Sequence, residues 1–107
     1  MKLYTTCLAF AATLILISPT SYAQTNAAAT FHARCSSCHG ADGKGNTPAG
    51  KAFKAIDYHD PVVMKMTDAE LAAIITNGKG KMPAYGKRMN AADIQSLVDY
   101  VRTLQKK

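Results

Sequence analysis

The chain has 107 residues, 13 Lys and Arg against 7 Asp and Glu for a net charge of +6, and three cysteines. That length leaves room for one small domain, and no internal repeat or low-complexity tract divides it, which excludes multi-domain and repeat architectures. A domain of this size builds a thin apolar core and commonly needs a staple.

The N-terminus reads as a secretory leader. Lys2 supplies a positive start, Cys7 to Ile17 is apolar apart from Thr13, and Ser18-Pro19 breaks the run. Ser21-Tyr22-Ala23 then has the small–x–small pattern that signal peptidase cuts after. The run is well short of the about 18 residues a spanning helix needs, so stable membrane insertion is not expected once the leader is gone. Cys7 precedes the apolar run, where a lipoprotein cysteine would follow it, and is read as leader. With 1–23 removed, a domain of 84 residues begins at Gln24, with twelve Lys and Arg against seven Asp and Glu, a charge of +5. Export places it in the periplasm.

Ala27 to Arg34 suits a short helix with Phe31 facing the core, while His32 reads as a surface histidine. The helix runs into Cys35-Ser36-Ser37-Cys38-His39. C-x-x-C-H is the attachment signature of a c-type haem. On a helical turn residues three apart share a face, so both thiols can reach one edge of a single porphyrin, and His39 is placed to bring a ring nitrogen to the iron. A zinc site would want four ligands, and no second pair stands at finger-like spacing. A thioredoxin-like motif would want a βαβ unit, and a plain disulfide would leave His39 unexplained. One motif implies one covalently held haem c.

Gly40 to Gly50 is a glycine-punctuated loop without a phosphate-binding fingerprint, and its glycines suit close approach of backbone to a flat cofactor. Pro48 has no N–H to donate; it is either a plain turn proline or the source of a carbonyl that accepts the His39 Nδ1 proton. Lys51 to Ile56 suits a short helix, and Asp57 to Pro61 a turn ended by proline. Tyr58 and His59 fit a haem edge or an exposed loop, with the loop preferred. Thr67-Asp-Ala-Glu70 is a capping box, Met66 can staple onto Leu71, and the helix it opens carries Leu71, Ala72, Ile74 and Ile75 before Asn77-Gly78 ends it.

Gly78-Lys-Gly-Lys-Met-Pro-Ala-Tyr-Gly86 places Met82 in a punctuated loop outside any apolar period. A thioether there is poorly placed as core filler and well placed as a soft ligand. Met82 is therefore the candidate distal ligand, ahead of Met64, Met66 and Met89, the last two of which occupy staple positions. Asn90 caps a final helix whose Ile94, Leu97, Val98, Val101 and Leu104 form one stripe, expected to pack near Phe31.

The attachment motif followed by Gly40 and Asp42-Gly43, the Lys81-Met82-Pro83-Ala84-Tyr85-Gly86 loop, and a last helix with Leu97 and Tyr100-Val101 together resemble the small soluble class I monohaem cytochromes c of bacteria. The resemblance covers the whole exported chain and is looser between Lys51 and Met66. It implies an all-α cytochrome c fold of about three to five helices around one covalent haem, with N- and C-terminal helices crossing. It also implies Cys35 and Cys38 as thioether positions, His39 proximal, Met82 distal and a carbonyl of the Pro48 kind behind the histidine.

Two protein ligands on the iron would leave no position for a substrate, so the expected role is a monomeric periplasmic electron carrier between respiratory or dehydrogenase partners, not an enzyme. Lys79, Lys81, Lys87 and Arg88 crowd the Met82 loop and suit acidic docking surfaces on redox partners. Nucleic acid is not expected, because the chain is exported and lacks interleaved aromatics and a recognition fold. The alternatives are a haem gas sensor or peroxidase-like site, if Met82 leaves the iron readily, and a fixed electron-entry subunit of a periplasmic oxidoreductase.

Overall fold

The computed structural model describes residues 22–107, with side chains from residue 27 onward. The leader expected over 1–23 lies outside the described residues but for Tyr22 and Ala23. Six helices follow in order: α1 (Tyr22–Arg34), α2 (Ser36–His39), α3 (Pro48–Phe53), α4 (Pro61–Met64), α5 (Asp68–Asn77) and α6 (Ala91–Gln105). The fold is all-α, as the sequence indicates. The count exceeds three to five because α2 and α4 are single turns of four residues.

Helix α6 organises the core. Its five-residue stripe is buried throughout, with Val98 wholly so. Phe31 of α1, 1% exposed, inserts opposite it, its ring 5.1 Å from that of Tyr100. Leu71 of α5 and Val63 of α4 join the same cluster. Alanine is the strongest helix former, and the Ala27-Ala28-Ala29 run carries α1 back to Tyr22, five residues before the expected start.

Caps fix where the shorter helices begin. Thr67 and Glu70 form the expected capping box at α5: the Thr67 side chain accepts from the Glu70 N–H at 3.1 Å, and the Glu70 carboxylate accepts from the Thr67 N–H at 2.8 Å. Gly78, in the left-handed region at φ 72°, ends that helix. Pro61 opens α4 instead of closing a turn: Asp60 accepts from the Val62 N–H at 2.8 Å, and proline at the first helical position forgoes an N–H with no intrahelical partner.

The end of α6 clamps the middle of the chain. Arg102 donates to the Asp68 carboxylate at 2.9 Å and the Met66 carbonyl at 2.6 Å, and Gln105 donates to the Tyr58 carbonyl at 2.9 Å. The two ring nitrogens of His59 face the Asp57 carboxylate at 2.8 Å and the Leu104 carbonyl at 3.1 Å. The Asp57–Asp60 turn is therefore pinned to the body of the protein. Tyr58, expected in an exposed loop, is 9% exposed and belongs to the core.

Candidate haem site

Local hydrogen bonding makes the Cys35–His39 pentapeptide a helical turn. The Cys35 N–H closes the last turn of α1 onto the Phe31 carbonyl at 2.8 Å, and the chain then turns into α2. The N–H groups of Cys38 and His39 both reach the Cys35 carbonyl, at 3.3 and 3.0 Å, and Gly40 N–H reaches the Ser36 carbonyl at 2.8 Å. Both thiols are free and partly buried. Burial raises the Cys35 thiol to about 11, with the Arg34 charge opposing it weakly. A redox-active C-x-x-C works through a depressed thiol, and the shift at Cys35 runs the other way.

The remaining carbonyls of the turn are met by the loop that follows. Gly45 N–H donates to the His39 carbonyl at 2.7 Å, and the Thr47 hydroxyl lies 2.6 Å from the Ser37 carbonyl and 3.1 Å from that of Cys38. The same hydroxyl accepts the Gly50 N–H at 2.9 Å, capping α3. Gly50 sits so close that a Cβ there would lie 2.2 Å from the Cys38 carbonyl oxygen. Gly45 and Gly50 thus bring the backbone into close approach with protein groups. Thr47 went unremarked in the sequence although Thr-Pro is an N-cap followed by a first-position proline. Thr47→Val is expected to lower stability by about 1–2 kcal/mol, because it strands both the Gly50 donor and a turn carbonyl, while Thr47→Ser keeps the hydroxyl and avoids most of that loss. Urea unfolding of the haem-loaded variants checks this.

His39 is partly buried. Burial lowers its pKa, with the Ile56 backbone opposing, so the ring is neutral at pH 7 and keeps a lone pair free for a metal. Its Nδ1 is buried and has no hydrogen-bond partner. The Pro48 carbonyl therefore does not hold Nδ1 in this structure. Pro48 is the first residue of α3, where helix geometry directs its carbonyl to the helix's own N–H ladder, and Thr47 is the residue that reaches the attachment turn. The Tyr58 ring stacks on the His39 imidazole, centroids 4.8 Å apart and planes at 29°. Burial pushes the Tyr58 phenol up, keeping it protonated.

Met82 lies in a tight loop after α5. Lys79 and Met82 exchange backbone hydrogen bonds of 3.1 and 2.9 Å, with Gly78 and Gly80 both at positive φ to make the turn. Tyr85 and Gly86 N–H groups then cover the Ile75 and Thr76 carbonyls at the end of α5, each at 3.0 Å. The Tyr85 hydroxyl donates to the Arg34 carbonyl at 3.3 Å, one residue before Cys35. The Met82 loop is thereby tied to the attachment turn. Met66 and Met89 pack against the core, as their staple positions suggest, and Met64 is 47% exposed.

These residues fit a covalently held haem. Two free thiols sit on one helical turn, beside a neutral histidine with an unpartnered ring nitrogen. The large apolar side chains left exposed, Phe53, Ile56, Val62 and Met64, all fall in the stretch just after the glycine loop. Fold and site together define a small all-α domain with a C-x-x-C-H turn whose residues fit one covalent haem.

Residues 23–101 match the family described as cytochrome c oxidase, cbb3-type, subunit III. The chain is 40% identical over 76 residues to the Cbb3-type cytochrome c oxidase subunit FixP of Azorhizobium caulinodans, covering 69% of this chain and only a quarter (25%) of that protein. It is 32% identical over 109 residues to cytochrome c6 of Picosynechococcus sp., covering 94% of this chain and 91% of the relative. The solved structure of the KustC0563 c-type cytochrome has the same fold, with a TM-score of 0.67 over 74% of this chain and 96% of that one, at 23% identity. The chain belongs to the cytochrome c family, in the group matched by the cbb3-type subunit III model, and its cofactor is a covalently bound haem c.

Proposed function

We propose that this protein is an exported one-electron carrier with a single haem attached through Cys35 and Cys38 and ligated by His39 and Met82. The observation that carries the reading is the Tyr85 hydroxyl on the Arg34 carbonyl, which ties the loop bearing Met82 to the turn bearing His39. The haem supplies a reversible one-electron couple. The chain's part is to keep both axial groups in place and to cover the ring with apolar side chains. Two strong-field protein ligands leave no vacancy for a substrate, which favours transfer over catalysis. A Pro48 carbonyl brace on His39 belongs to the same reading, and requires Nδ1 to gain a partner when the haem is bound.

Among the described residues no helix is long and apolar enough to cross a membrane, and a monomer free in the periplasm is the form proposed. Lys79, Lys81, Lys87 and Arg88 are all exposed around the Met82 loop. Such a rim steers the encounter with an acidic partner more than it tightens the complex. The likeness to FixP, an oxidase subunit, favours a second reading in which the domain is a fixed electron-transfer subunit of an oxidoreductase.

Redox titration of the exported, haem-loaded protein tests the reading: a single reversible transition of one electron is expected, and a substrate-dependent turnover would contradict it. Lys81→Glu with Lys87→Glu is expected to slow electron transfer to an acidic redox partner about tenfold at low ionic strength, the difference shrinking as salt screens it, with the potential little changed. Stopped-flow kinetics across a salt series would read this out. A rate unchanged by charge reversal and by salt favours the fixed subunit.

A further inference from the structure

We propose that Tyr58 is the positioning residue of the proximal ligand: its ring, held rigidly by the core, sets the orientation of the His39 imidazole plane. The inference rests on the reading of His39 as an axial ligand and adds to it a residue in a segment where the family resemblance is loose.

Three observations carry it. The two rings are stacked, 4.8 Å between centroids and 29° between planes, so rotation of the imidazole about its Cβ–Cγ bond would drive its edge into the phenol. Next, His39 Nδ1 has no hydrogen-bond partner. A histidine that binds a metal ordinarily has its plane fixed by a hydrogen bond from the second ring nitrogen. A carbonyl partner gained on haem binding would hold the ring at its edge, whereas the Tyr58 contact restrains its rotation from the face, where the structure already shows it.

The third observation is that Tyr58 cannot move away. Its N–H donates to the Gly43 carbonyl at 2.8 Å, and its carbonyl accepts from Gln105 at 2.9 Å. The edge of its ring meets Phe31, centroids 6.4 Å apart at 61°, and Phe31 is the most deeply buried aromatic of the core. On its remaining side Gly43 lies so near that a Cβ would fall 2.4 Å from Tyr58 Cδ2. Gly43 is thus required for room as well as for its positive φ of 76°. Through Tyr58, the packing of α1 against α6 is transmitted to the imidazole face.

The plane of an axial imidazole decides how it overlaps the iron d orbitals. In the ferric protein that overlap spreads unpaired spin unequally over the four haem methyl groups. The test is proton NMR of the haem-loaded protein. Tyr58→Phe keeps the stacked ring and is expected to retain the wild-type order of ferric methyl shifts. Tyr58→Leu removes the stack while keeping apolar bulk, and is expected to reorder or compress those shifts with the methionine–iron absorption band retained. An unchanged methyl pattern in Tyr58→Leu overturns the proposal.

The wild type decides the matter if Tyr58→Leu fails to mature. In the ferrous protein, strongly upfield-shifted His39 ring protons with cross-relaxation to the Tyr58 ring support the inference. The same shifts without that cross-relaxation overturn it alone. His39 ring protons without the upfield shift of a group over the haem overturn the ligation reading, and this inference with it.

Discussion

Met82→Ala is expected to leave the haem attached and to open its distal face. The loop around Met82 is held by backbone bonds: the reciprocal pair with Lys79, the Tyr85 and Gly86 N–H groups on the end of α5, and the Tyr85 hydroxyl on Arg34. None of these uses the methionine side chain, and Met82 is not at positive φ, so alanine can adopt the same backbone. The loss is then local to the sixth ligand. The far-red ferric band of methionine–iron ligation should vanish, and the ferrous form should bind carbon monoxide. The potential should fall by on the order of 0.1–0.2 V, a modest part of the ~0.8 V range that axial ligands span. Spectra with and without carbon monoxide, together with a redox titration, would measure all three. If Met64→Ala produces these changes and Met82→Ala does not, the distal ligand has been misassigned.

Cys35→Ser with Cys38→Ser has the larger structural consequence: the chain is expected to be unfolded at 25 °C. Eleven hydrophobic residues are buried among the described residues, and two of them, Ala27 and Tyr85, are a small side chain and a polar-tipped one at the margin of the core. A core that thin does not offset the conformational entropy of a domain this small without a staple. Phe53, Ile56, Val62 and Met64 meanwhile remain exposed and add little to that core. The far-ultraviolet dichroism of the double variant should lack most of its helical signal and show no cooperative melt. A single cysteine variant should keep the haem on one thioether and fold with reduced stability. A helical, cooperatively melting double variant would mean that the haem is a passenger on a self-sufficient fold.

The parts of this structure legible in the sequence are those specified locally. The α6 stripe announces itself by its period, α5 by its capping box and its terminal glycine, and the attachment turn by its motif. The single-turn helices α2 and α4 are too short for any period to appear. The Tyr58 environment was misjudged for a different reason. In Asp57-Tyr58-His59-Asp60 nothing apolar flanks the tyrosine, and its burial depends on Gly43, Phe31 and Gln105, which lie 15, 27 and 47 positions away. Thr47 carried a readable cap signal, yet its hold on the Ser37 and Cys38 carbonyls, ten and nine residues back, is tertiary. Gly43, Gly45 and Gly50 were recognised as points of close approach, but what they approach, the Tyr58 ring, the Ala55 carbonyl and the Cys38 carbonyl, depends on where the chain returns. Pro48 reads equally as a turn proline or as the source of a carbonyl, and its position at the start of α3 redirects that carbonyl.

The central claim is that the iron is closed on both sides by His39 and Met82 and passes single electrons. The most direct measurement is the optical spectrum of the exported, haem-loaded wild-type protein, ferric and ferrous, with and without carbon monoxide. A ferric far-red band, and a ferrous spectrum that carbon monoxide leaves unchanged, is the expected result. A missing methionine band with ready carbon monoxide binding would contradict the claim and point to an open distal site that senses or transforms a small ligand.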